Sequence, residues 1–226
     1  HGLGNALSVI INACSQPGEA VIIFSPVYHS FARIIKANDR RVHASPMRIK
    51  DGRFKMDLGA LVASLTGDEK IMFLCSPHNP GGRVWSAEEL RNVALFCETH
   101  DIILVSDEVH HDLIMPGHSH TILAKVTPEI SRRLITLVAT SKTFNIAGIE
   151  TGSMLIPDPA LRQRVARVRH AMNISNNRFG MLMAEAAYRG GDEWLDKLIP
   201  YLDANRKLLN EAIDGIQGLS VMNLEA

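Results

Sequence analysis

Leu134-Ile135-Thr136-Leu137-Val138-Ala139-Thr140-Ser141-Lys142-Thr143-Phe144-Asn145 runs out of an apolar, β-branched strand into a small, hydroxyl-rich turn that carries a lysine. An amine delivered there by a buried strand is poorly placed for solvation, and burial disfavours the ammonium form. Schiff-base chemistry requires the neutral amine. A lysine at a strand end that snorkels to water fits this segment equally well. Residues upstream decide between the two.

Outward from this segment, strand-like runs alternate with helical ones, the pattern of βαβ units and a largely parallel sheet. Val21 to Phe24, Arg41 to Ala44, Lys70 to Cys75, Ile102 to Val105, Leu134 to Val138 and Gly152 to Ile156 are the expected strands. Helices are expected over Asn5 to Ala13, opened by Gly2-Leu3-Gly4, over Phe31 to Ala37, and from a cap at Asp57 through Leu65. Ser86-Ala87-Glu88-Glu89 is a capping box, in which serine and glutamate satisfy each other's free backbone amides. The helix it starts carries Leu90, Val93, Ala94 and Cys97 on one face. Beyond Asp158 the pattern turns helical, with a long run from Trp194 to Ile213 expected to break at Pro200. No repeat, low-complexity tract or flexible linker interrupts the chain.

With 226 residues the chain is long enough for one large α/β domain with a substantial core, or for two small ones. Lys plus Arg equal Asp plus Glu at 24 each, so no basic field points to nucleic acid and no acidic tail to disorder. The longest apolar runs, such as Ala20-Val21-Ile22-Ile23-Phe24, are strand-sized and too short to span a bilayer. Cys14, Cys75 and Cys97 match neither a disulfide framework nor a zinc module, and a cytosolic compartment is the expectation. The chain opens at His1 within a glycine-rich motif and closes at Ala226 without a stop signal, as expected for a piece of a longer protein.

The polar clusters fall just after strands: Tyr28, Asn79, Asp107 with His110, and Lys142. In open parallel sheets, ligands bind at that edge, outside the carboxyl ends of the strands. Gly2-Leu3-Gly4 places exposed amides and the positive end of a helix where a phosphate is favoured, although a glycine-assisted helix start without a ligand reads as well. The Tyr28 ring is suited to stacking on a planar ligand or to plugging the sheet edge. Ser76-Pro77-His78-Asn79-Pro80-Gly81-Gly82-Arg83-Val84-Trp85 packs prolines and glycines around one amide, aiming Asn79 in a fixed direction. Asp107, in Ser106-Asp107-Glu108-Val109-His110-His111-Asp112, is a carboxylate that must be paired if buried. Facing a pyridine nitrogen, it would keep that nitrogen protonated. A rival reading builds a metal site from Asp107, His110, His111, His118 and His120, but their spacing fits none of the usual zinc signatures. His118 and His120 lie in a Gly- and Ser-containing loop and are expected to be solvated.

Taken in order, these segments resemble the fold-type I pyridoxal-phosphate enzymes, the class I/II aminotransferases and their relatives. They are most similar to the cystathionine β-lyase (cysteine-conjugate C–S lyase) branch. The likeness rests on the Ser76–Trp85 turn, on Ser106-Asp107-Glu108-Val109-His110, and on Ser141-Lys142-Thr143-Phe144-Asn145-Ile146-Ala147-Gly148. His110 stands where most aminotransferases place a tyrosine. The resemblance implies a three-layer α/β/α large domain with a mostly parallel sheet and pyridoxal 5′-phosphate as cofactor. It implies that residues 1–190 form the cofactor-binding domain and that 191–226 form a long helix leading toward a small domain largely absent here. By the same resemblance, Lys142 carries the cofactor as a Schiff base, Asp107 faces the pyridine nitrogen, Tyr28 stacks on the ring, and Asn79 bonds the 3-oxygen with His110 nearby. Amides of Leu3 and Gly4, with the Ser141 hydroxyl, hold the phosphate. The implied activity is β-cleavage of cystathionine or related S-substituted cysteines to thiol, pyruvate and ammonia in a homodimer, with an aminotransferase or an incompetent cofactor-binding domain as alternatives. Two positions depart from the pattern. Ala139 stands where many relatives have a phosphate-binding serine, and Glu150 where many have a basic or neutral residue. An acid beside a phosphate is unfavourable unless it points away or pairs with a cation.

Overall fold

The structure, a computed structural model, describes residues 2–226; His1, read above with the glycine-rich start, lies outside the described residues. Six strands form one sheet: β1 (Ala20–Ser25), β2 (Arg41–Pro46), β5 (Glu69–Cys75), β6 (Ile103–Asp107), β7 (Leu134–Val138) and β8 (Ser153–Leu155). Their spatial order is β2-β1-β5-β6-β7-β8, every pairing parallel except β7 with β8. A separate hairpin joins β3 (Arg48–Lys50) to β4 (Arg53–Lys55).

The central strands read as unbroken apolar runs because both of their faces are covered. Side chains alternate across the sheet with period 2. Val21, Ile23, Ile71, Phe73, Cys75, Ile103, Val105, Ile135 and Leu137 therefore enter one core. Ile22, Phe24, Met72, Leu74, Leu104 and Leu134 enter the other. The first core is closed by α1 (Leu3–Cys14), α2 (Ser30–Ala37) and α6 (Pro159–Ala171). The second is closed chiefly by α4 (Ala87–Thr99), with α3 (Leu58–Ser64), the short α5 (Leu123–Val126) and fully buried Trp85. This is the three-layer α/β/α arrangement. Burying each large apolar side chain contributes ~1.5–3 kcal/mol, so the two cores hold the sheet as a rigid floor for the loops at its edge.

The caps act as expected. Asp57 accepts from the Ala60 amide, and Ser86 and Glu89 form the reciprocal capping box. One expectation is corrected. Pro200 does not break the last helix; α8 runs without interruption from Asp192 to Ile213. Proline removes one hydrogen bond and crowds one carbonyl, and the helical segments on either side are long enough to carry the chain across that defect. No helix among the described residues is long and apolar enough to cross a membrane.

Candidate active site

Every expected site residue lines one cavity of about 300 Å³: Leu3, Gly4, Tyr28, Asn79, Asp107, His110, Ser141 and Lys142. Ala139 and Glu150 line it too, as do Arg33, Cys75 and Thr151, which sequence reasoning did not single out. The sheet explains the convergence. β1, β5, β6 and β7 are parallel neighbours ending at Ser25, Cys75, Asp107 and Val138, so their following turns open at the same edge.

Strand parity selects the acid. Asp107 continues the face of Val105 and sits opposite Cys75, toward the core closed by α1. Glu108, one residue on, points the other way and is 2% exposed. Its carboxylate accepts from Ser106 Oγ at 2.9 Å and pairs with His120 Nε2 at 2.8 Å. His120 is thus a half-buried partner of Glu108, not the solvated loop histidine expected; the loop folds back because a buried carboxylate needs donors. Among the described residues no three His, Cys, Asp or Glu side chains converge as a metal-ligand set.

Asp107 is partly accessible from the cavity and accepts from the Val109 amide at 3.2 Å. Burial raises its pKa to about 6, against the pull of that amide; Glu108 adds to the rise and the Lys142 charge opposes it. An acid so placed gains from any cationic N–H brought against it. His110 is half-buried, and its pKa is lowered by burial and then by Lys142. Lys142 itself is exposed on the cavity wall, which corrects the expectation of a buried amine. The turn that carries it is tightly held: Phe144 N–H donates to Thr140 O at 3.0 Å and Ile146 N–H to Ser141 O at 3.0 Å. Thr143 Oγ1 donates to Asp112 at 2.9 Å, while Trp194 Nε1 in α8 donates to Thr143 O at 2.8 Å. Asp112 and Trp194 had no sequence signal, since both contacts are tertiary.

The Asn79 turn is braced from several sides. Asn79 N–H donates to Cys75 Sγ at 3.3 Å, and Trp85 Nε1 to Cys75 O at 2.8 Å. His78 Nε2 must donate to the Pro26 carbonyl, 2.9 Å away, while Nδ1 accepts from the Gly81 amide at 3.2 Å, which requires the neutral ring. Burial lowers the His78 pKa to about 4, in keeping with that state. His78 thereby ties the Asn79 turn to the Tyr28 turn. Further out, the buried Glu225 carboxylate accepts from Arg83 Nη1 at 2.9 Å and the Val84 amide at 2.8 Å. Tyr28, half exposed, packs edge-on to Phe31 with ring centres 5.7 Å apart.

Leu3 and Gly4, which also line the cavity, form the first turn of α1, ahead of the first intrahelical donor, Asn5 N–H to Gly2 O at 3.1 Å. Such a helix start favours an anion. The donor set therefore fits pyridoxal phosphate: backbone amides and a hydroxyl, an acid with a raised pKa at a strand end, an amine without a partner among the described residues, a rigid side-chain amide and a tyrosine ring. The cavity volume lies at the lower end of the usual small-ligand range, ~300–1,000 Å³.

The family model described as aminotransferase class I and II matches residues 1–226. Cystathionine beta-lyase PatB of Bacillus subtilis (strain 168) is 38% identical over 218 residues, 93% of this chain and 54% of that protein. The crystal structure of OvoB superimposes with a TM-score of 0.95 at 34% identity, covering 100% of this chain and 60% of that one. Cystalysin from Treponema denticola, whose structure contains pyridoxal 5′-phosphate, superimposes with a TM-score of 0.91 at 33% identity, covering 96% and 55%. The chain spans about half the length of the curated relatives it matches.

Proposed function

This chain belongs to the aminotransferase class I and II family, and from that premise we propose a pyridoxal-phosphate-dependent carbon–sulfur β-lyase. It cleaves cystathionine or a related S-substituted cysteine to thiol, pyruvate and ammonia, in the cytoplasm and as a homodimer. Residues 1–190 form the cofactor domain, and 191–226 lead toward a further domain. One observation carries the proposal: a single strand-edge cavity unites Lys142, Asp107, Asn79, Tyr28 and His110. The 38% identity to a protein named cystathionine beta-lyase supports the substrate class.

When bound, the cofactor supplies an electron sink conjugated to the substrate Cα. Lys142 would be the residue that holds it covalently, and its freed Nζ would be the base that takes the substrate Cα proton. Asp107 would accept from the pyridine N–H and keep the proton there. Tyr28 would stack against the ring, and the braced Asn79 amide would donate to the 3-oxygen. Leu3 and Gly4 amides with the Ser141 hydroxyl would bind the phosphate. His110 lines the cavity with Lys142, and burial, then the Lys142 charge, lowers its pKa and so favours its neutral form.

The family description favours a second reading, transamination on the same scaffold. Incubation with cystathionine and no 2-oxo acid separates the two: a lyase releases pyruvate and homocysteine, whereas a transaminase stalls until an acceptor is added. The half-length coverage favours a third, a cofactor-binding domain without turnover. That reading predicts cofactor binding with no product under either condition.

A further inference from the structure

The phosphate end of the cavity contains a charge that the proposed ligands leave unanswered. Glu150 lines it, held in the left-handed conformation at φ 46° at the end of a short 3-10 turn. Its backbone lies against the head of α1, since a Cβ on Gly2 would come within 3.4 Å of Glu150 Cα. Ala139, on the same wall, offers no hydroxyl. A phosphate dianion beside Leu3 and Gly4 therefore shares its pocket with a carboxylate, and repulsion between them falls off only slowly in a partly enclosed site.

Arg33 projects into the same cavity from α2. The next residue, Ile34, packs its Cδ1 against Gly4, 3.8 Å from where a Cβ would stand, so α2 is seated directly over the first turn of α1. Arg33 is exposed and has no hydrogen-bond or ion-pair partner among the described residues; the Glu150 carboxylate has none either. Arg33 and Lys142 are the two Lys or Arg side chains in the cavity lining. Lys142 would be committed to the cofactor's aldehyde carbon as an imine. Arg33 is the cation left to face the phosphate and Glu150.

We propose that Arg33 is the phosphate-binding cation of this site, taking the part that a serine at 139 and a neutral or basic residue at 150 would otherwise play, and offsetting Glu150. The inference rests on the cofactor assignment above and deepens it. A guanidinium suits the task because it stays charged at all working pH values and presents paired donors to phosphate oxygens.

The test compares two ligands that differ only in the phosphate. Wild type, Arg33→Ala, Arg33→Lys and Glu150→Gln are each titrated with pyridoxal 5′-phosphate and with pyridoxal, following absorbance and confirming by borohydride trapping, with circular dichroism as a check on folding. Arg33→Ala should raise the dissociation constant for pyridoxal phosphate about tenfold or more, as expected for loss of a charge-assisted bond, and leave that for pyridoxal unchanged. Arg33→Lys should recover part of the loss, and Glu150→Gln should tighten pyridoxal phosphate binding several-fold. Equal weakening toward both ligands, or no weakening by Arg33→Ala, would overturn the role of Arg33 while leaving the cofactor assignment intact. A wild-type protein that bound neither ligand would overturn both.

Discussion

Asp107 is the residue where burial and function pull in opposite directions. Its pKa rises from the usual 3.8 to about 6, so the folded protein without cofactor prefers the protonated acid more than the unfolded chain does. Stability from this group is therefore fully present below pH ~4 and is lost as pH rises through ~6. Allowing for its accessibility from the cavity, the loss is on the order of 1–2 kcal/mol. Asp107→Asn should flatten that part of the thermal-melting curve measured against pH without cofactor, and should abolish turnover once cofactor is added. A melting temperature that fell just as steeply in Asp107→Asn would assign the dependence to other groups. Lys142→Ala should remove both the cofactor's bound-state absorbance and all product formation; cystathionine cleavage at the normal rate in that variant would refute its role. At this scale the sequence was legible where a residue's place follows from strand parity or strand end, as for Asp107 and Lys142. It was not legible where exposure depends on distant packing. Lys142 came out exposed and His120 half-buried against Glu108, because neither a neighbouring turn nor a cross-loop partner is written in local spacing.

At the scale of elements, the turn from Ser76 to Trp85 is the part most sensitive to a single methyl group. A Cβ on Gly81 would collide with the Phe54 ring and lie 2.7 Å from His78 Nδ1. Gly81→Ala should thus cost ~1–3 kcal/mol as an overpacking defect, readable as a lower urea midpoint. It should also weaken cofactor binding, since His78 links this turn to Pro26. An alanine variant with unchanged midpoint and affinity would show that the turn is not rigidly held. The strands were readable as short apolar runs and the caps as Asp57 and Ser86, because these signals are local. The direction of β8 and the unbroken course of α8 through Pro200 were not. Both depend on how the ends of an element are held by the rest of the fold.

For the whole molecule, the two cores account for the sheet, but α7 (Arg178–Gly190) and α8 leave a large apolar surface outside them. Phe179 is 76% exposed, Leu182 57% and Tyr201 65%. Apolar surface on this scale marks an interaction face, which supports the proposed homodimer. Paired Phe179→Glu and Leu182→Glu substitutions should shift the protein from dimer to monomer in light scattering without lowering its melting temperature. A wild-type protein that stayed monomeric at tens of micromolar would contradict the dimer.

Reduction with borohydride in the presence of pyridoxal 5′-phosphate, followed by digestion and mass mapping, tests the central claim most directly. The pyridoxyl group should be found on Lys142. An unmodified Lys142, whether the label lands on another lysine or on none, would contradict the account.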